Sequence, residues 1–407
     1  MDPDLDRLDS MVPSWVREVC QRLGEAGHQA MTVGGAVRDA MLARTPGDWD
    51  VATSATPDAV MALFRRTLPT GIQHGTVTVR IPRGTELHSI EVTTFRGEGA
   101  YSDARRPDQV TFGVSLEEDL ARRDFVVNAI AWDPIARRLH DPFGGRDDLR
   151  ARRLRAVGVA SERFAEDGLR ILRAVRFVAS LDFELEDKTE QAIAGALPSL
   201  ARVSRERVRV ELVKLLAGAA AERALEIAER TGILGQVMPE VEDSAAARAR
   251  VSAAPPEAGV RMAALLLPAT PDRVDAALRR LTYSNAERAR VVGLVTQAAA
   301  LLASPGAADE QLRRALGQVG RKAAEDLAAL VPAAASRLRA IASAGDPLAI
   351  GELALTGGDV MRLLALPPGP IIGRALEFLL ARVLADPSLN RRETLESLLR
   401  DEFPAES

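Results

Sequence analysis

The feature that most constrains the fold is an abrupt change of pattern near residue 145. Before it, short runs of β-branched residues alternate with glycine turns and brief helical stretches; after it, alanine, leucine, arginine and glutamate recur at helical spacing. Such a chain folds as α+β, with an N-terminal mixed α/β module followed by an all-α remainder. At 407 residues it exceeds what one hydrophobic core usually supports, so several domains are expected.

Within the N-terminal part, residues 14–26 have amphipathic helical spacing. MTVGGAVRDAML then gives a short apolar strand, a glycine turn and a new helix, and DWDVAT a second strand followed by the helix PDAVMALFRR. GTVTVRI and LHSIEVTTF alternate as a hairpin does. Strand signals persist through DQVTFGV, VVNAIAWD and RRLHDPFGG, which places a boundary near residues 144–149. Beyond it, helix connections are expected near residues 244–258 and 304–308, and residues 346–359 separate a final helical unit. The apolar heptads that a coiled coil needs do not persist.

Charge and cysteine content narrow the setting. The net charge of -4 argues weakly against a nucleic-acid partner, but arginines crowd residues 150–176 and 202–209, and a local basic surface can bind phosphates. Cys20 is the only cysteine, so an internal disulfide is excluded and a reducing compartment is expected. The acidic start MDPDLDRLDS lacks the character of an export signal, and the apolar runs fall far short of a membrane span. A cytoplasmic protein without membrane contact follows as the expectation.

Asp48 and Asp50 flank Trp49 on a stretch read as a strand, where side chains at i and i+2 share a face. Two close carboxylates are hard oxygen ligands suited to magnesium, and a pair of such ions about 3.5–4 Å apart can activate a hydroxyl while clamping a triphosphate. Alone, Asp-x-Asp is a common surface pattern. Upstream, Gly34 and Gly35 form a turn between strand and helix that exposes backbone N–H groups to phosphate oxygens, with Arg38 beside them as a forked cation. Together these features are specific.

GGAVRD with GDWDVAT resembles the first signature of the nucleotidyltransferase superfamily that includes DNA polymerase beta. RRDFVVNAIAWD resembles the family's ribose-recognition segment, HDPFGG its head-to-neck junction, and EDGLRILRAVRF its base-recognition helix. On this set, spread over roughly residues 30–215, the chain is identified as a member of the class II tRNA nucleotidyltransferases. The resemblance implies a polymerase-beta-like head over residues 1–149, a helical neck over 150–220, a body over 221–345 and a tRNA-binding tail over 346–407. It also implies template-independent addition of CCA to tRNA from CTP and ATP, with two Mg2+ ions at Asp48 and Asp50 and no obligate protein partner. An enzyme adding only the terminal A and a poly(A) polymerase are the neighbouring alternatives. GIQHGTVTV, which includes His74, looks like the tRNA-enzyme version, and no catalytic role is assigned to that histidine.

The same resemblance suggests roles for individual residues. Glu91 occupies the position of a third acidic residue, with a solvent-exposed strand-edge glutamate as the alternative. Arg123, Asp124 and Asn128 are candidates for triphosphate and ribose contacts, while Arg122 positions the turn. Asp167 and Arg170, read as i and i+3 neighbours on one helix, can face a single base. C and A both present an amino donor beside a ring-nitrogen acceptor, so one acceptor and one donor suit both and misfit U and G. Arg173 and Arg176 continue the series of nucleotide-binding candidates, Arg173 toward the phosphates or the base pocket and Arg176 further round the helix. Residues 95–110 have the composition of a mobile loop, and residues 205–214 that of a charged helix in which phosphate contact and solvation are equally plausible. The four histidines provide no paired His-Asp set for the phosphohydrolase domain that some relatives carry.

Overall fold

Period-two segments of the N-terminal part become strands of one sheet because each has a face rich in valine and isoleucine to bury. The computed structural model describes residues 2–98 and 110–403. Up to residue 140 the strands are β1 (Ala30–Val33), β2 (Asp50–Thr53), β3 (Thr67–Gly71), β4 (Thr76–Arg83), β5 (Glu86–Thr94), β6 (Arg96–Glu98), β7 (Val110–Phe112), β8 (Ala131–Asp133) and β9 (Arg138–His140), and beyond them Arg153–Leu154 and Glu184–Leu185 form a short parallel pair. Seven form a sheet in the order β3-β4-β5-β2-β1-β8-β9, while β6 and β7 pair as a separate antiparallel ribbon. Residues 99–109, most of the segment expected to be a mobile loop, lie outside the described residues.

Register decides which side chains reach the site. On β4 and β5, Val77 pairs with Val92 and Val79 with Ile90, all four buried, so the intervening Glu91 falls on the opposite, accessible face. β2 joins β5 in parallel with Val51 opposite Val92 and Asp50 opposite Glu91, which brings the two acids to one face. The other strand pairs of this sheet are antiparallel.

Two helices precede β1: α1 (Pro3–Met11) and α2 (Ser14–Glu25), the latter burying Val16, Val19, Cys20 and Leu23 at three- and four-residue steps. The others up to residue 230 are α3 (Gly35–Met41), α4 (Pro57–Leu63), α5 (Leu116–Ala121), α6 (Gly145–Arg150), α7 (Ala160–Glu166), α8 (Leu169–Leu181), α9 (Asp187–Ala201), α10 (Arg205–Leu216) and α11 (Ala221–Arg230). Ten of the thirteen residues of α8 are buried, including Arg170, because α9, α10 and α11 enclose it.

The chain divides into two compact units, Met1–Gln236 and Val237–Ser407. Among its described residues the second is helical throughout, and its last part packs Gly357–Leu364, Pro370–Ala385 and Arg392–Glu402 around Val360, Leu379, Val383, Leu395 and Leu399. Among the described residues no helix is long and apolar enough to cross a membrane.

Candidate active site

β1 is followed by Gly34-Gly35, and Gly34 has φ of +76°, a conformation that a side chain would strain. A Cβ there would also lie 3.1 Å from Nη1 of Arg123, so glycine is needed both for the turn and for the close approach of that guanidinium. The turn starts α3 and opens onto a cleft of about 700 Å³ within the first unit.

Gly34, Gly35, Arg38, Asp48, Asp50, Arg123, Asp124, Asn128, Asp167, Arg170, Arg173 and Arg176 all line this cleft. Of the residues given a site role in the sequence, Glu91 alone is not part of the lining; it lies beside Asp50 on the neighbouring strand. Asp48 lies just before β2 rather than within it, and Trp49, 5% exposed, points the other way, so the alternation that pairs the two acids holds. Burial pushes the Asp50 carboxyl up to about 6, with Glu91 the next cause and Asp48 adding to it, against Arg123. Asp48, Asp50 and Glu91 thus set three carboxylates against Arg123, and hard oxygen donors gathered in this way fit a divalent cation. Among the described residues no group of three or more His, Cys, Asp or Glu side chains is arranged to hold a metal. An ion at Asp48 and Asp50 therefore needs further oxygen ligands from solvent or substrate.

A chain of polar contacts ties the cleft walls together. Arg38 donates to Asp39 at 2.9 and 3.0 Å and to Oδ1 of Asn128 at 2.6 Å. Nδ2 of Asn128 donates to Oδ1 of Asp124 at 3.1 Å, and Nε of Arg173 to Oδ2 of Asp124 at 2.7 Å. Burial acts to raise the Asp124 carboxyl, but Arg173 and the hydrogen bond from Asn128 overcome it and hold the group at about 2. Arg176 donates to Glu211 at 2.9 Å and lies 3.5 Å from the centroid of the Phe177 ring.

The expected helix carrying Asp167 and Arg170 is broken between them. Asp167 caps the end of α7 with extended backbone (φ -137°, ψ 104°), and α8 begins at Leu169. Gly168 permits the junction: a Cβ on it would sit 2.3 Å from the backbone of Ser199, so α9 crosses against bare backbone. Asp167 accepts from Arg207 at 2.7 Å and from the Leu169 N–H at 3.0 Å, whereas Arg170 donates to Glu166 at 2.6 Å and to the Arg122 carbonyl at 2.9 Å. The two side chains share the cleft and reach it from separate anchors.

The lining also includes Asp39, Arg122, Arg207 and Lys214, to which the sequence reading gave no firm binding role. Arg207, Glu211 and Lys214 follow the i, i+4, i+7 spacing of one helix face, and that signal could have separated them from the solvated residues of α10. Eight cationic side chains face five carboxylates in the lining, an excess suited to a polyphosphate.

Family models match three stretches: "Poly A polymerase head domain" over residues 30–155, an RNA and SrmB-binding site of polymerase A over 182–244, and tRNA nucleotidyltransferase domain 2 over 260–399. The CCA-adding enzyme of Leuconostoc mesenteroides is 36% identical over 395 residues, covering 94% of this chain and 95% of that protein. That of Listeria monocytogenes serotype 4a is 53% identical over 209 residues, 51% of this chain and 52% of its own length, so in such matches the chain spans about half the relative. Among solved structures, the Bacillus stearothermophilus CCA-adding enzyme in complex with CTP superimposes with a TM-score of 0.77 at 35% identity, covering 99% of this chain and 98% of that one.

Proposed function

The chain belongs to the family of CCA-adding enzymes, and from that premise we propose that it adds C, C and A to the 3′ end of tRNA, using CTP and ATP and no nucleic-acid template. One observation carries the reading: the acidic pair Asp48 and Asp50 and the base-recognition candidates Asp167 and Arg170 line a single cleft. The near full-length likeness to the Leuconostoc enzyme supports it, as does the likeness to a relative solved with CTP.

In this reading Asp48 and Asp50 hold two Mg2+ ions, and Glu91 beside Asp50 reinforces the negative field. Ions there would lower the pKa of the tRNA 3′-hydroxyl and neutralise triphosphate charge. Gly34 and Gly35 keep the turn free of side chains, so that the triphosphate lies near Arg38 and Arg123. Asp124 and Asn128, fixed by Arg173 and Arg38, face the ribose. Each oxygen of Asp167 retains a lone pair beyond the bonds from Arg207 and Leu169, enough to accept from the amino group of C or A. Arg170 donates to the ring nitrogen, and Arg173 and Arg176 complete the cationic wall. UTP or GTP would set like groups against like, at about 1–3 kcal/mol for each buried mismatch.

The division into head (1–149), neck (150–220), body (221–345) and tail (346–407) goes with this proposal. The C-terminal helices would hold tRNA by shape and backbone charge, in the cytoplasm. The test supplies labelled CTP or ATP singly to tRNAs ending at the discriminator base, at C and at CC. Extension of the first two by CTP and of the third by ATP is expected. Activity on the last alone marks an A-adding enzyme, and long tails on unrelated RNA mark a poly(A) polymerase. Asp48→Ala should lose transfer and keep tRNA binding; full transfer by that variant would remove the metal assignment.

A further inference from the structure

Asp119, on α5, lies outside the cleft lining, and its side chain is only 1% exposed. Its Oδ1 accepts from Nε and Nη2 of Arg122 at 3.0 and 2.8 Å and from the backbone N–H of Arg96 at 3.3 Å. Its Oδ2 accepts from Nη2 of Arg123 at 3.2 Å. One buried carboxylate thus gathers two arginines that line the cleft and the first residue of the β6–β7 ribbon.

Apart from its charge attraction to Asp50, Arg123 is otherwise weakly held. Its Nε is buried without a hydrogen-bond partner, while its Nη1 reaches over Gly34 at the turn where phosphates are proposed to lie. A long side chain with one anchored nitrogen takes its direction from that anchor. Arg122 presents its peptide carbonyl to Arg170 at 2.9 Å, so the pair Asp119–Arg122 also fixes the acceptor that orients the base-recognition arginine. Isolated buried carboxylates are costly, and the first turn of α5 already has Glu117 and Glu118 to meet the helix dipole, so the helix alone does not require burying a third acid. Its capping box is complete with Ser115 and Glu118.

We propose that Asp119 is a positioning residue for the nucleoside triphosphate: it aims Arg123 at the phosphates and seats the Arg122 peptide against Arg170. The inference rests on the function proposed above. It is tested with the full-length protein, measuring kcat and KM for CTP on tRNA ending at C, for Asp119→Asn, Arg123→Ala and the double variant. Asp119→Asn should raise KM for CTP about tenfold while kcat stays within about threefold, since binding geometry rather than chemistry is disturbed. In the Arg123→Ala background the same change should cost less than about threefold, because the arginine it aims is gone. Full multiplication of the two effects, or a wild-type KM for Asp119→Asn, overturns the proposal. Should Asp119→Asn fail to fold, Arg123→Lys carries the test from the other partner, since lysine cannot bond Asp119 and reach over Gly34 together. An unchanged KM there overturns it equally. Wild-type protein that adds neither nucleotide removes the function reading itself, whereas active wild type with an indistinguishable Asp119→Asn removes only the positioning role.

Discussion

Asp50 and Glu91 are register partners on the parallel strands β2 and β5, two carboxylates held to the same face with Asp48 close by. Burial first and then Glu91 raise the Asp50 carboxyl to about 6. A group whose folded pKa is raised contributes stability below its unfolded value near 3.8 and loses it as pH rises through about 6. At pH 8 the charged Asp50 therefore weakens the metal-free fold. Asp50→Asn should raise the melting temperature there by a few degrees, corresponding to at most about 1 kcal/mol once solvent screening at this accessible site is allowed for. The gain should vanish toward pH 4 and come with loss of nucleotide transfer. Calorimetry in chelator at both pH values checks this, and a lower melting temperature for the variant at pH 8 would contradict it.

The same repulsion makes the folded protein a better cation binder than the unfolded chain. Magnesium at ten times its dissociation constant should stabilise the wild type by about 1.4 kcal/mol. Asp48→Ala and Asp50→Asn should show little of that shift. Equal stabilisation of all three proteins would mean that the ion binds elsewhere.

Much of this site was legible in the sequence because it depends on short-range rules. Alternation predicts that Asp48 and Asp50 share a face, and Gly34-Gly35 between an apolar run and a helix predicts the turn. Strand register was not legible: whether Glu91 faced Asp50 depends on how β5 pairs with β2, which residues 86–94 alone do not encode. The break at Gly168 escaped for a related reason, because what forbids a side chain there is the backbone of Ser199, thirty-one residues away. The ion pairs of Glu211 were not legible either, because Arg173 and Arg176 come from α8, whereas Asp119 meets its i+3 and i+4 neighbours Arg122 and Arg123 and only its burial needed the fold.

Gly168 offers a direct test of that crowding. Its φ of -58° suits any residue, so only space selects glycine, and a Cβ would meet the Ser199 backbone at 2.3 Å. Gly168→Ala must push α9 away from the junction, at about 1–3 kcal/mol as for other overpacked cores. The movement also shifts Asp167 relative to Arg170, so discrimination between CTP and UTP should fall along with the melting temperature. A variant as stable and selective as wild type would show that the junction has room to relax.

Glu211 is 4% exposed and faces Arg176 at 2.9 Å and Arg173 at 3.7 Å. Glu211→Gln keeps the shape but leaves two stacked arginines against Phe177 with one fewer counter-charge. A loss of about 1–3 kcal/mol is expected in urea unfolding, larger for Glu211→Ala, where Arg176 loses its ion-pair carboxylate and Arg173 keeps Asp124. Added CTP should recover part of the difference if the phosphates replace the missing charge. No recovery would place Arg173 and Arg176 out of reach of the nucleotide.

Asp124 is one of the groups that make this unit's stability sensitive to acid. Its carboxyl is held at about 2 by Arg173 and Asn128 in spite of burial, against an ordinary value of 3.8. A depressed folded pKa contributes stability that is fully present above the unfolded value and disappears as pH falls through the folded one. The window is therefore from about 4 down to about 2, and the contribution at neutral pH is about 2 kcal/mol. Asp124→Asn removes it, and also leaves Arg173 beside Arg176 with Glu211 as the remaining carboxylate. Urea unfolding from pH 7 to pH 3 should show wild type ahead at neutral pH, with its lead shrinking only below about pH 4. A lead that stays constant to pH 3 and below would trace the loss to packing instead, because a packing defect has no proton to release.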